Sequence, residues 1–208
     1  MFLLSPANAS GVRARLLTAP ESQLELAQRL RGPGVPLGEL FSFISRLYFR
    51  GKLSYATRFA VAQTGAEGVH IITPSAGLLP PHMMVTAEQF REFIAEPVHA
   101  ENQGFRIPLE RDARKLLAVL DAETDVVLLG SIASPKYVEP LSAILGKRLL
   151  FPSEFVGRGD MSRGGLLLRC VRAQEPLAYV QVIDAVKSGP RTPKLPPVSK
   201  PKKSQRKK

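Results

Sequence analysis

The 208-residue chain is 44% hydrophobic with a formal net charge of +11, a size and apolar content that suit one globular domain with its own core. No apolar run approaches the roughly 18 residues of a membrane span. A single cysteine, Cys170, excludes an internal disulfide framework, and three histidines with no cysteine cluster and no His-x-x-x-His pair exclude a recognisable metal site.

Taken in order, Phe2-Leu3-Leu4 predicts a short buried strand halted at Ser5-Pro6. The opening residues lack the basic region of a signal peptide, and the expected location is cytoplasmic. Asn8-Ala9-Ser10-Gly11 forms a turn or an anion-cradling loop, so Ser5, Asn8 and Ser10 are candidate phosphate ligands. Arg13 and Arg15 just beyond it either meet a phosphate or lie on a solvated helix face. The spacing of Leu24, Leu26, Ala27 and Leu30 predicts a helix over Pro20 to Arg31, ended by Gly32-Pro33-Gly34.

A second helical region over Leu37 to Ala62 is crowded with rings, with Arg46, Arg50, Lys52 and Arg58 interleaved. Such a mixture can stack on bases while pairing with phosphates, which makes Arg46 and Arg50 candidates for nucleic-acid contact. Against this, aromatics at helical spacing normally pack in a core, with long basic side chains snorkelling around them. Gly51 either kinks the segment or lets a ligand approach its backbone.

Gly68 to Ile72 predicts a strand, with Thr73 to Pro81 as its exit loop. Thr86 caps a helix to Ile94, helped by Glu88 and Gln89. A long surface connection is expected over Glu96 to Pro108, then an amphipathic helix over Leu109 to Leu120. The buried strand Val126 to Leu129, a small-residue loop, a helix over Lys136 to Leu145 and the strand Leu149 to Phe151 make a βαβ unit. In open parallel sheets ligands collect beyond the carboxyl ends of the strands. Ser134 and Lys136 at the head of this helix therefore join the candidate phosphate ligands.

The turn Gly157 to Gly165 combines glycine amides with Arg158, Arg163 and the Ser162 hydroxyl, a set suited to phosphate or carboxylate. Asp160 is a candidate general base, although an acid flanked by arginines is more often ion-paired. It matches neither the Walker A pattern nor GxGxxG, and no cofactor is expected. Leu166 to Val171 and Leu177 to Val182 predict a C-terminal β-hairpin, in which Cys170 is a buried structural thiol. The fold class is α/β, with three layers and a mostly parallel sheet flanked by helices. One domain spans 1–186, followed by a disordered Lys/Pro-rich tail over 187–208. That tail carries nine Lys or Arg and no acid, leaving the body at +2.

Several anchors in fixed order resemble the YaaA-like peroxide-stress-resistance family of bacteria: Leu3-Leu4-Ser5-Pro6-Ala7, Phe43 with Leu47-Tyr48, Gly77 to Pro81, Ala133 to Tyr137, and Arg158-Gly159-Asp160-Met161-Ser162-Arg163. The resemblance covers about residues 1 to 165. It implies a cytoplasmic α/β protein with a basic cleft that binds DNA and limits oxidative damage, with no established reaction. This chain departs from the pattern where Phe155-Val156-Gly157 replaces lysines, and where Gly164-Gly165 is expected to interrupt a helix that the family continues. It also has a lysine tail in place of the family's extended helical insertion.

Two functional expectations follow. The first is nucleic-acid binding, DNA favoured over RNA and membrane, with Arg158, Arg163, Arg46 and Arg50 gripping phosphates and the tail adding sequence-blind affinity. The alternative is a nucleotide-, nucleoside- or base-processing enzyme of hydrolase or glycosylase type. It would use the Ser5 to Ser10 loop with Ser134 and the candidate catalytic residues Tyr137, Asp160 and Ser162 around one cleft.

Overall fold

The computed structural model describes residues 1–61, 65–193 and 195. In chain order it runs β1 (Phe2–Leu4), α1 (Val12–Thr18), α2 (Glu25–Arg31), β2 (Val35–Pro36), α3 (Leu37–Ser45), α4 (Leu47–Phe59), β3 (Val69–Ile72) and β4 (Leu78–Leu79). There follow β5 (Met84–Val85), α5 (Ala87–Ala95), α6 (Gln103–Val119), β6 (Val126–Leu129), α7 (Pro135–Leu145), β7 (Leu149–Pro152), α8 (Asp160–Ala173) and β8 (Tyr179–Gln181).

Six strands form one sheet in the order β4-β3-β1-β6-β7-β8. The four central strands are parallel, and β4 and β8 add antiparallel edges. Burial explains the composition of the centre: Leu3, Leu4, Val126, Leu128 and Leu129 are fully buried, because helices cover both faces. From β1 the chain moves outward to β3 through α4, and from β6 it moves the other way to β7 through α7. Right-handed crossovers in opposite directions put those helices on opposite faces. Accordingly α4 packs on α8, and α6 on α7. Phe2 meets the Tyr55 ring of α4 edge-on at 5.7 Å. The three-layer α/β architecture expected from the sequence is present.

The divergence of the chain at β1 and β6 makes their carboxyl ends a topological switch point, where open α/β sheets form a ligand crevice. The two strand exits touch there. A Cβ on Gly130 would sit 3.0 Å from Cβ of Ser5 and 3.2 Å from its Oγ, so a glycine lets β6 leave the sheet in close contact with β1.

Several local expectations need correction. The predicted C-terminal hairpin is absent: Leu166 to Val171 belongs to α8, and β8 pairs antiparallel with β7. A short unbroken apolar run fits a buried strand or a buried helix equally well by periodicity, and here Gly164 and Leu167 face inward at helical spacing. Gly164-Gly165 therefore does not interrupt the helix. Gly51 neither kinks α4 nor receives a ligand; its added Cβ would meet the Gly164 carbonyl oxygen at 2.8 Å, so the two helices cross backbone to backbone.

Leu37 to Ala62 is two helices, broken at Arg46, whose φ of 52° is left-handed; Ala62 lies outside the described residues. The first predicted helix begins only at Glu25. The supposed connection over Glu96 to Pro108 already contains the first turns of α6, capped by the Asn102 side chain, with Pro108 inside the helix. The cap of α5 is as expected, a reciprocal Thr86–Gln89 box. Lys187 to Pro193 and Leu195 have neither helix nor strand, and the Thr192 amide donates to the Gly157 carbonyl at 3.2 Å. The rest of the expected disordered tail, 194 and 196–208, lies outside the described residues.

Candidate functional site

The polar centre of the molecule is a lysine. Lys52 of α4 is fully buried, and its ammonium nitrogen donates to the Ser5 carbonyl and, at 2.8 Å, to the Ser5 hydroxyl. It lies 4.6 Å from the Tyr48 ring centroid and 4.9 Å from that of Phe49. Burial pushes the amine down to about 7; the Asp160 carboxylate opposes that shift and Arg163 adds to it. Beside it the Tyr48 hydroxyl is buried and makes no hydrogen bond among the described residues. Desolvation pushes this phenol up to about 12, and Arg163 acts on it through its charge without hydrogen-bonding geometry.

Arg163 is largely enclosed, with a side chain 14% exposed. Its Nε donates to the Phe155 carbonyl at 3.1 Å, its guanidinium lies 5.4 Å from the Phe155 ring centroid, and its Nη1 is 3.9 Å from Asp160 Oδ1. Arg163 thus braces the 3₁₀ turn before α8. Asp160 is exposed in the first turn of α8, where a carboxylate complements the helix dipole.

Above this junction, at the head of α8, opens a cavity of about 640 Å³ lined by Arg158, Asp160, Ser162, Arg169, Arg191 and the backbone of Gly157 and Gly159. Arg158 is held in place by Nε donating to the Glu154 carbonyl at 2.9 Å and Nη1 donating to Ser162 Oγ at 3.3 Å. Three arginines face one carboxylate, and one of them comes from the stretch beyond residue 187.

A second cavity, of about 390 Å³, is the switch-point crevice itself. Its floor is the β1 exit, Pro6 to Ser10, closed by an Asn8 side chain whose Oδ1 accepts from the Ser10 amide at 3.0 Å and the Ser10 hydroxyl at 2.7 Å. Lys136 and Tyr137, from the first turn of α7, form one wall. Lys136 Nζ is 5.1 Å from the Tyr137 ring centroid, and burial raises the Tyr137 phenol well above its usual range. The opposite wall comes from the end of α5 and the segment after it.

No family model, curated protein or solved structure matches this chain.

The candidate ligands are therefore divided among sites. Asn8, Ser10, Lys136 and Tyr137 share the crevice; Arg158, Asp160 and Ser162 share the arginine cavity. Ser134 lines a separate depression with Lys187, and Arg46 and Arg50 line another beside the Arg29–Glu39 ion pair of 2.7 Å. Ser5 gives its oxygens to Lys52. The expected single cleft is not formed: these residues are divided among separate depressions, while Ser5 holds the buried Lys52 amine on which Asp160 and Arg163 act. Lys52 was missed as a distinct group because its charge suggested a surface rim. The signal was its position: Tyr48, Lys52, Tyr55 and Phe59 fall on one helical stripe. Among the described residues no group of three His, Cys, Asp or Glu is placed to hold a metal, and no helix is long and apolar enough to cross a membrane.

Proposed function

We propose that the protein binds nucleic acid, DNA in preference to RNA, through the arginine cavity at the head of α8 and the cationic stretch that continues from it. The observation that carries this reading is the shared wall: Arg191 and Thr192 line the same cavity as Arg158 and Arg169, so the segment holding nine cations and no acid starts at its rim. Planar guanidinium groups around exposed helix amides match phosphate oxygens, and neutralised phosphates release counterions. The resemblance to peroxide-stress-resistance proteins supports DNA over RNA and a part in limiting oxidative damage.

Fluorescence anisotropy of the full chain with labelled duplex DNA, single-stranded DNA and duplex RNA, between 50 and 200 mM salt, tests the reading. Affinity for DNA is expected to fall steeply with salt. The double variant Arg158→Ala, Arg191→Ala is expected to reduce the logarithmic salt slope by about two, close to one for each lost phosphate contact. Absence of DNA retention at low salt, or an unchanged slope in the variant, refutes the proposal.

A further inference from the structure

The crevice at the switch point is separate from the arginine cavity, and its chemistry is different. It lies beyond the carboxyl ends of β1, β3 and β6, with Pro6 to Ser10, Pro74 and Lys136-Tyr137 contributed by the three exits. This is where an open parallel sheet offers converging loops and a helix start to a small ligand. At about 390 Å³ it falls within the roughly 300–1,000 Å³ of small-molecule pockets.

Its lining separates into an apolar and a polar side. Phe93, Ile94, Pro97 and Val98 line one side as an apolar wall, the chemistry suited to a heterocyclic base. The other side is polar. Asn8 Oδ1 is committed to Ser10, which leaves the Asn8 amide nitrogen as a donor. Among the described residues Lys136 supplies the only cation in the lining, at the amide-bearing start of an 11-residue helix. Among the described residues of the lining Glu96 supplies the only carboxylate, oriented by an Asn102 Nδ2 donor to its Oε1, and is suited to accept from ribose hydroxyls or an exocyclic amine.

One cation and one carboxylate set the ligand's charge. A triphosphate would bring about four negative charges against a single lysine, and a free base would leave Lys136 without a counterpart. We infer that the switch-point crevice binds a nucleoside monophosphate, its phosphate on Lys136 and the α7 amides and its base against the Phe93–Val98 wall. This site stands independently of the DNA-binding reading, because it shares no lining residue with the arginine cavity.

Isothermal titration calorimetry of the full chain tests it, with a panel of ribo- and deoxyribonucleoside monophosphates, the matching nucleosides and inorganic phosphate. At least one monophosphate is expected to bind saturably, at least about tenfold more tightly than its nucleoside or phosphate alone. Lys136→Met removes the ammonium while keeping an unbranched side chain of similar length, and is expected to weaken that binding at least about tenfold while DNA retention is unchanged. Asn8→Ala, which removes an exposed turn contact, is expected to weaken it as well. The Arg158→Ala, Arg191→Ala protein is expected to keep nucleotide binding whether or not its DNA binding is lost. Failure of every monophosphate to bind overturns the assignment, as does phosphate binding as tightly as the nucleotides. Binding that survives both crevice variants but is lost with the two arginines overturns it too, by moving the nucleotide to the other cavity. Circular dichroism of each variant confirms that the fold is retained.

Discussion

At the scale of single residues, Lys52 links charge to stability. Its amine titrates near 7 in the folded protein against about 10.5 when exposed. Between those pH values the unfolded chain binds the proton and the folded one does not, so unfolding is favoured as pH falls through this window. The cost to stability is on the order of several kcal/mol at pH 7 and levels off below it. Urea denaturation of the wild type and Lys52→Met is therefore expected to diverge with pH: the wild type gains stability relative to the variant from pH 7 to pH 10. A difference that stays flat over that range shows that the amine is charged throughout. Ser5 was legible as a residue of importance because it follows a buried strand and precedes proline. Its partner was not, since nothing in the sequence separation of 47 residues brings Ser5 and Lys52 together; the α4 crossover does.

At the scale of elements, the contact between α4 and α8 rests on two glycines. A Cβ on Gly164 would lie 2.7 Å from the Leu47 carbonyl oxygen and 2.8 Å from the Tyr48 Cα, and backbone of this kind cannot move aside as a side chain can. Gly164→Ala is expected to destabilise the fold by about 1–3 kcal/mol despite the better helix propensity of alanine. Among the described residues the neighbouring Gly165→Ala meets only a Leu195 methyl at 3.6 Å, and it is expected to be neutral or stabilising by up to about 1 kcal/mol. Thermal denaturation of the pair reads both signs; equal effects would remove the backbone contact as the cause. The same elements show which local signals were readable. Thr86 and Gln89 announced the cap of α5 because both halves of the box lie within one turn. Pro108 suggested a boundary, yet Asn102 starts α6 before it, and the packing of Phe105 and Leu109 outweighs the one hydrogen bond that proline removes.

At the scale of the whole molecule, charge is partitioned between a nearly neutral body and a cationic end. Deleting residues 196–208 removes six Lys or Arg and lowers the net charge from +11 to +5. On the DNA-binding proposal, the shortened protein is expected to bind duplex DNA more weakly and with a shallower salt dependence, while retaining the contribution of Arg158, Arg169 and Arg191. Complete loss would place all affinity in the deleted segment. The central strands β1, β6 and β7 were legible because each is a short apolar run that ends at Ser, Gly or Pro, and β3 because only His70 interrupts its apolar residues. Which loops share a cavity was not, because that depends on strand order, and β6 lands beside β1 with Val127 opposite Phe2, 125 residues away along the chain. The order of strands has one further effect. The margins of the sheet are Leu78–Leu79 on one side and Tyr179–Gln181 on the other, so its unpaired amides and carbonyls end in stubs of two and three residues. Stubs that short give a second chain few partners with which to extend the ladder, so the sheet itself is expected to resist seeding polymers as the protein is concentrated.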